Sequence, residues 1–161
     1  MSFAISPSEY LTQLQESFAE FKAQPLSIGK AMSVVFFANH LSEHVFAAYS
    51  STDLAKLDGC NTLDKYRSHL TSKNANLGIV RDLCDYSKHG PKLDRKSVQV
   101  SKTTVKETMV LDSWAFAAGI VSHYAENKIV VSLANGRQYF FDGLIADVVQ
   151  FWTSLFAAKV L

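Results

Sequence analysis

The sequence predicts an α+β fold, with a helical N-terminal bundle followed by a small antiparallel sheet and a C-terminal helix; three features predict it. Apolar residues recur at helical spacing from Leu11 as far as Cys84. Beyond Gly90-Pro91 the period changes, and Ser97-Val98-Gln99-Val100-Ser101 alternates polar and apolar as a half-buried strand does. Asn135-Gly136 lies between two β-forming runs, Ile129 to Leu133 and Arg137 to Phe141, which is the strongest short-range hairpin signal.

The elements follow in order. Ser6-Pro7-Ser8-Glu9 joins a capping Ser, a Pro at the first helical position and a Glu at the third, so a helix starts there. Leu11, Leu14, Phe18 and Phe21 form its apolar stripe, and Gln24-Pro25 ends it because the residue before Pro is pushed out of the helical region. A second helix spans Ser27 to Tyr49. It is apolar on most sides between Ala31 and Leu41, which places it in the middle of a bundle. Ser50 to Asp53 reads as a loop or a new cap. Asn61 or Thr62 caps a third helix, with Leu63, Tyr66 and Leu70 inward, and the polar stretch Thr71 to Asn76 reads as a connector. The fourth helix covers Asn76 to His89, with Leu77, Val80, Leu83 and Cys84 on its inner face and Gly90-Pro91 stopping it. Trp114 to Tyr124 fits a strand or a short helix, with strand preferred. Asp142-Gly143 breaks the last strand, and Leu144 to Ala158 forms the closing helix.

A chain of 161 residues matches one domain, 1–161, with a helical part at 1–91 and a sheet plus closing helix at 97–161. Apolar residues at 48% and charged residues at 19% exclude a disordered chain. A net charge of +1 gives no general pull toward nucleic acid or anionic membrane, and Lys88 to Lys106 is the local basic candidate. The longest apolar stretch, Val34 to Ala38, is far too short to span a membrane, and the N-terminus lacks a signal-peptide pattern. Cys60 and Cys84 lack metal or redox spacing and read as reduced thiols. A cytoplasmic location is the expectation.

There is no Gly-rich phosphate loop, no GxSxG and no HExxH in the sequence. The informative feature is polar: His40 and His44 lie one turn apart on one face of the second helix, and Arg81, Asp82, Asp85, Lys88 and His89 line the fourth. Three readings stand side by side. In a structural one, the histidines bond locally, Arg81 pairs with Asp85, and Lys88 and His89 suit the helix C-terminus. In a second, His40, His44, Asp85 and His89 bind a metal such as Zn or Fe, as ligand pairs on two helices of a bundle do. In the third, a His and an Arg cleave RNA without a metal, one group moving a proton from the 2′-OH and the cation holding the phosphate.

Ala38-Asn39-His40-Leu41-Ser42-Glu43-His44, taken with Ile79 to Gly90 and its Asp85-x-x-Lys88-His89-Gly90 end, resembles a group of uncharacterised bacterial and phage-associated proteins. The resemblance covers most of the chain and extends to Phe151-Trp152 on the closing helix. That group in turn resembles the HEPN helical domains, RNases or inactive relatives in toxin–antitoxin and phage-defence systems. The resemblance implies Arg81, Asp82 and His89 as catalytic residues, with His40, His44 and Asp85 orienting them or binding a metal. It also implies a homodimer and RNA as partner, and no cofactor. Seven residues separate Arg81 from His89, one more than the longest usual spacing, which turns His89 by about 100°. The alternative from another class is a non-catalytic, self-associating interaction module whose polar stripe fixes helix packing. Phe151 and Trp152 are expected in the core, or at a self-association surface if exposed.

Overall fold

The structure, a computed structural model, describes residues 5–89, 100–111, 123–159 and 161. The order is α1 (Pro7–Ala23), α2 (Ile28–Tyr49), a 3-10 turn (Leu54–Leu57), α3 (Leu63–Lys73), α4 (Asn76–His89), β1 (Val100–Leu111), β2 (His123–Leu133), β3 (Gln138–Phe140) and α5 (Phe141–Lys159). The strands form one antiparallel sheet in the order β1-β2-β3. The α+β fold is therefore the one predicted, helices first and a helix closing the sheet.

Local chemistry sets the helix starts. Glu9 N–H donates to Ser6 Oγ at 3.2 Å, and Ser6 N–H donates back to the Glu9 carboxylate at 2.8 Å, the predicted capping box. The hydrogen bonds from the Ser6 side chain and backbone hold the Glu9 carboxyl below its usual range. Ser27 caps α2, Asp53 the 3-10 turn, and Thr62, one of the two residues predicted, caps α3.

α3 runs through Lys73, so the connector to α4 is only Asn74 and Ala75 rather than Thr71 to Asn76. The polarity of Thr71, Ser72 and Lys73 belongs to the outer face of a last helical turn, closed by the Asn74 N–H on the Leu70 carbonyl. Asn74 and Asn76 then donate side-chain hydrogen bonds to Asp147 at 2.6 and 2.9 Å, which ties the start of α4 to α5.

β1 extends to Leu111, well past the predicted end at Ser101, and pairs with β2 from Val100↔Leu133 to Leu111↔His123. Thr103, Thr104, Val105 and Thr108 carry the β-branched signal for this extension, but lysines and a glutamate interrupt the alternation. Ser97 to Gln99, Trp114 to Ser122 and much of the basic run Lys88 to Lys106 lie outside the described residues. The hairpin falls where predicted, but its loop has three residues. Gly136 N–H bonds the Leu133 carbonyl, Leu133 N–H bonds the Arg137 carbonyl, and Gly136 takes φ +84°. That is a turn closed by a left-handed residue, the position glycine occupies without strain.

α5 begins at Phe141, so Phe141 is helical rather than the end of a strand, and Asp142-Gly143 opens the helix instead of breaking the chain. An acidic residue in a first turn meets the positive end of the helix dipole, and Asp142 also pairs with Lys128 of β2 at 2.8 Å. Phe141 stays inward, edge-on to Phe21 at 5.0 Å.

α2 packs against α1, α3, α4 and α5, with Val34, Ala38, Leu41 and Val45 buried. Ile129, Val131 and Leu133 of β2 and Ile145, Val148 and Trp152 of α5 complete the core. The prediction of burial on nearly all sides of α2 is corrected on one stripe: Ile28, Met32 and Phe36 are 54%, 36% and 45% exposed. Among the described residues no helix is long and apolar enough to cross a membrane.

Candidate functional site

α4 presents Arg81 and Asp82 differently, because neighbouring residues on a helix point about 100° apart. Asp82 is only 3% exposed and is engaged in an interaction of its own. Arg81 is half-buried and makes no hydrogen bond or ion pair among the described residues. The Arg81–Asp85 pair expected on a purely structural reading is therefore not formed there. His89 follows on the same helix about 12 Å along the axis and about 80° around it, and its side chain lies outside the described residues.

Arg81 lines a small, partly open notch of about 20 Å³ where α2, α3, α4 and α5 meet. Asn39 and Ser42 of α2, Arg67 and Thr71 of α3, and Trp152 of α5 line it as well. The helix packing that builds the core thus brings two arginines to one opening. Arg67 is braced: its Nε donates to Ser42 Oγ at 3.3 Å, and one terminal nitrogen pairs with Glu43. Ser42 in turn donates to the Asn39 carbonyl at 3.0 Å. Trp152 is 0% exposed, and its Nε1–H has no hydrogen-bond partner among the described residues. A buried indole N–H usually finds an acceptor.

Glu43 links this notch to a second group of residues. His40 Nδ1 lies 3.0 Å from the Glu43 carboxylate, and His40 Nε2 lies 4.0 Å from Cys84 Sγ across the α2–α4 contact. Burial pushes the Glu43 carboxyl up, but the hydrogen bonds and charges of His40 and Arg67 outweigh it and hold the group below its usual range. Glu43 accepts from His40 Nδ1–H, which leaves Nε2 as the ring nitrogen that faces the thiol. A thiol, an imidazole and a carboxylate in series are the parts of an activated nucleophile. Cys84, however, is 1% exposed, which closes it to a substrate and makes the series a fastener between α2 and α4.

His44, one turn on, takes a different partner and stacks on Tyr10 of α1 at 3.9 Å between ring centroids. Burial, and then the charge of Glu43 and the nearby Cys84, push the Tyr10 hydroxyl up to about 12, so it stays a neutral phenol. His40 and His44 therefore serve separate contacts. Among the described residues no group of three or more His, Cys, Asp or Glu side chains is arranged to hold a metal.

Arg67, Ser42 and Trp152 were not legible in the sequence as residues of the notch. They come from three helices and share no motif. The indole N–H, a donor that a buried Trp has to place, was the one available signal.

A larger concavity of about 430 Å³ opens toward the N-terminal end of α2, lined by apolar side chains that include Ile28, Met32, Leu83, Tyr86 and Phe141. It continues the exposed stripe of α2. No protein-family model, no curated protein and no solved structure matches the chain.

Proposed function

We propose that the chain is a HEPN-like protein that acts on RNA, either cleaving it without a metal or binding it as an inactive relative, in a phage-defence or toxin–antitoxin setting. The observation that carries this reading is Arg81: a residue whose guanidinium has no partner among the described residues and which lines a partly open notch together with a second arginine. Cations left unpaired at a cleft are suited to holding a phosphate as charge develops on it. Asp82 and His89 complete the proposed set, Asp82 from the buried side of the helix and His89 from its last turn. RNA binding and RNA degradation are the measurements, with and without a chelator. Arg81→Ala is expected to lower cleavage by about a hundredfold or more, or to weaken RNA binding where cleavage is absent, with chelator making no difference. An Arg81→Ala protein that binds and cleaves RNA like the wild type, or a wild-type protein that does neither, ends the reading.

A homodimer belongs to the same proposal, and the apolar stripe of α2 supports it. Ile28, Met32 and Phe36 repeat every fourth residue along one helical face, and Ile28 and Met32 also border the apolar concavity, which offers a place for the same stripe of a second copy. Exposed apolar surface of this continuity is a common mark of association. Light scattering after size exclusion is expected to give twice the chain mass for the wild type and the single-chain mass for Met32→Glu, a change that the exposed helix tolerates. A wild-type monomer, or a Met32→Glu dimer, rejects this surface.

A further inference from the structure

We propose that the outer face of the sheet is a platform for single-stranded RNA, on which a base stacks against Phe140 while Lys102 and Lys106 hold the flanking phosphates. The ligand class rests on the RNA reading above; the surface rests on the register of the strands. The sheet buries one face against the helices through Ile129, Val131 and Leu133 of β2. Side chains alternate along a strand, so Lys128 and Val130 belong to the opposite face. Cross-strand partners share a face, and the register sets Thr104 and Phe140 beside Val130, and Lys106 beside Lys128. Lys102, two residues before Thr104 on β1, falls on the same face. The contacts agree: Lys128 Nζ lies 5.5 Å from the centre of the Phe140 ring, and Lys106 Nζ reaches Gln138 of β3 at 3.4 Å. Val130 is buried even on this side, so its neighbours supply the accessible surface.

Aromatic surface and charge on this face both suit an unpaired strand of nucleic acid. Phe140 is 49% exposed on an edge strand, which leaves an aromatic surface open to a base. Lys102 and Lys106 are exposed. Among the described residues Lys102 makes no hydrogen bond or ion pair, and Lys106 bonds only the neutral Gln138. Asp142 pairs with Lys128, so the charge without an offset comes from the two lysines of β1. Lys106 and Lys128 also sit directly opposite each other, and like charges so placed weaken a sheet until an anion joins them. The patch is about 13 Å long and about 10 Å across its three strands. That is room for about two or three bases, the number an RNA-binding sheet stacks. Lys102 and Lys106 end the basic run that starts at Lys88, so part of the local charge read in the sequence lies beside a stacking surface.

The test uses fluorescence anisotropy of a labelled, short 2′-O-methyl oligouridine, which lacks the hydroxyl that cleavage would need. Phe140→Leu leaves the core intact and keeps an apolar side chain, and it is expected to weaken binding about tenfold through lost stacking. Lys102→Ala combined with Lys106→Ala is expected to lower the slope of log affinity against log salt by about 1.4, as two lost phosphate contacts on a single strand do. The same strand paired with 2′-O-methyl oligoadenosine is expected to bind about tenfold more weakly, since its bases are already stacked. Wild-type affinity in Phe140→Leu, an unchanged salt slope in the double variant, or equal binding of the duplex each overturn the platform. Arg81→Ala separates this proposal from the RNA reading on which it rests. Binding that survives Phe140→Leu but falls in Arg81→Ala removes the platform and keeps that reading. Binding that falls in Phe140→Leu but not in Arg81→Ala, in a protein whose cleavage is also indifferent to Arg81, keeps the platform and removes the Arg81 site. A wild type that does not bind the oligouridine rejects the platform.

Discussion

Replacing Trp152 by alanine is expected to cost about 3–5 kcal/mol of stability, a large share of the roughly 5–15 kcal/mol that holds a domain of this size together. The side chain is fully buried on α5 and lies edge-on to Phe151 at 5.8 Å and to Phe156 at 6.3 Å. Its helix touches α1, α2, α4 and β2, so a void at this position is shared by the helical half and the sheet. Close-packed interiors collapse only partly around such a void. Urea unfolding at neutral pH is the measurement. Trp152→Phe is expected to lose much less, about 1–2 kcal/mol, because most of the ring volume stays and the unpaired donor goes. A loss below about 1 kcal/mol for the alanine variant would mean that α5 does not anchor the core.

Trp152 also shows what the sequence made legible. Helical spacing found α1 and α2 to within a residue or so, because their boundaries are chemical: the Ser6 to Glu9 box and Gln24-Pro25. Errors arose where polarity and structure part company. Thr71 to Lys73 is polar and helical, and Asp142-Gly143 looks like a breaker but begins α5. The stripe Ile28, Met32 and Phe36 is apolar and exposed, and hydropathy alone cannot tell an interior face from an outer one. For the candidate site, the polar stripe of α4 singled out Arg81 but not the other residues that line the notch. Arg67 and Trp152 reach the notch through helix packing, and the His40–Cys84 contact exists only because α2 crosses α4.

Asp58 is where the second large effect is expected, since one carboxylate there gathers three elements. His69 Nε2 lies 2.8 Å and Lys73 Nζ 2.9 Å from it, and Lys159 from the end of α5 pairs with its other oxygen while also donating to the Lys56 carbonyl. Asp58 itself takes φ +52°, a left-handed conformation that Asp and Asn tolerate better than Ala. Asp58→Ala therefore loses the ion pairs and adds backbone strain, together about 2–3 kcal/mol, whereas Asp58→Asn loses mainly the charge and about 1–2 kcal/mol. Burial pushes the Asp58 carboxyl up, but the hydrogen bonds from Lys159, Lys73 and His69 outweigh it and hold the group well below its ordinary value of 3.8. A carboxyl lowered on folding adds stability that is fully present above its unfolded pKa and is lost as falling pH protonates it in the folded state. The wild type is thus expected to weaken between about pH 5 and about pH 2, and its lead over Asp58→Asn to shrink across the same range. Glu43, also held low, keeps part of the acid loss in both proteins. Urea midpoints at the two ends of the range measure this, and a lead that stays constant would show that the contacts of Asp58, rather than its charge, tie α5 to α3.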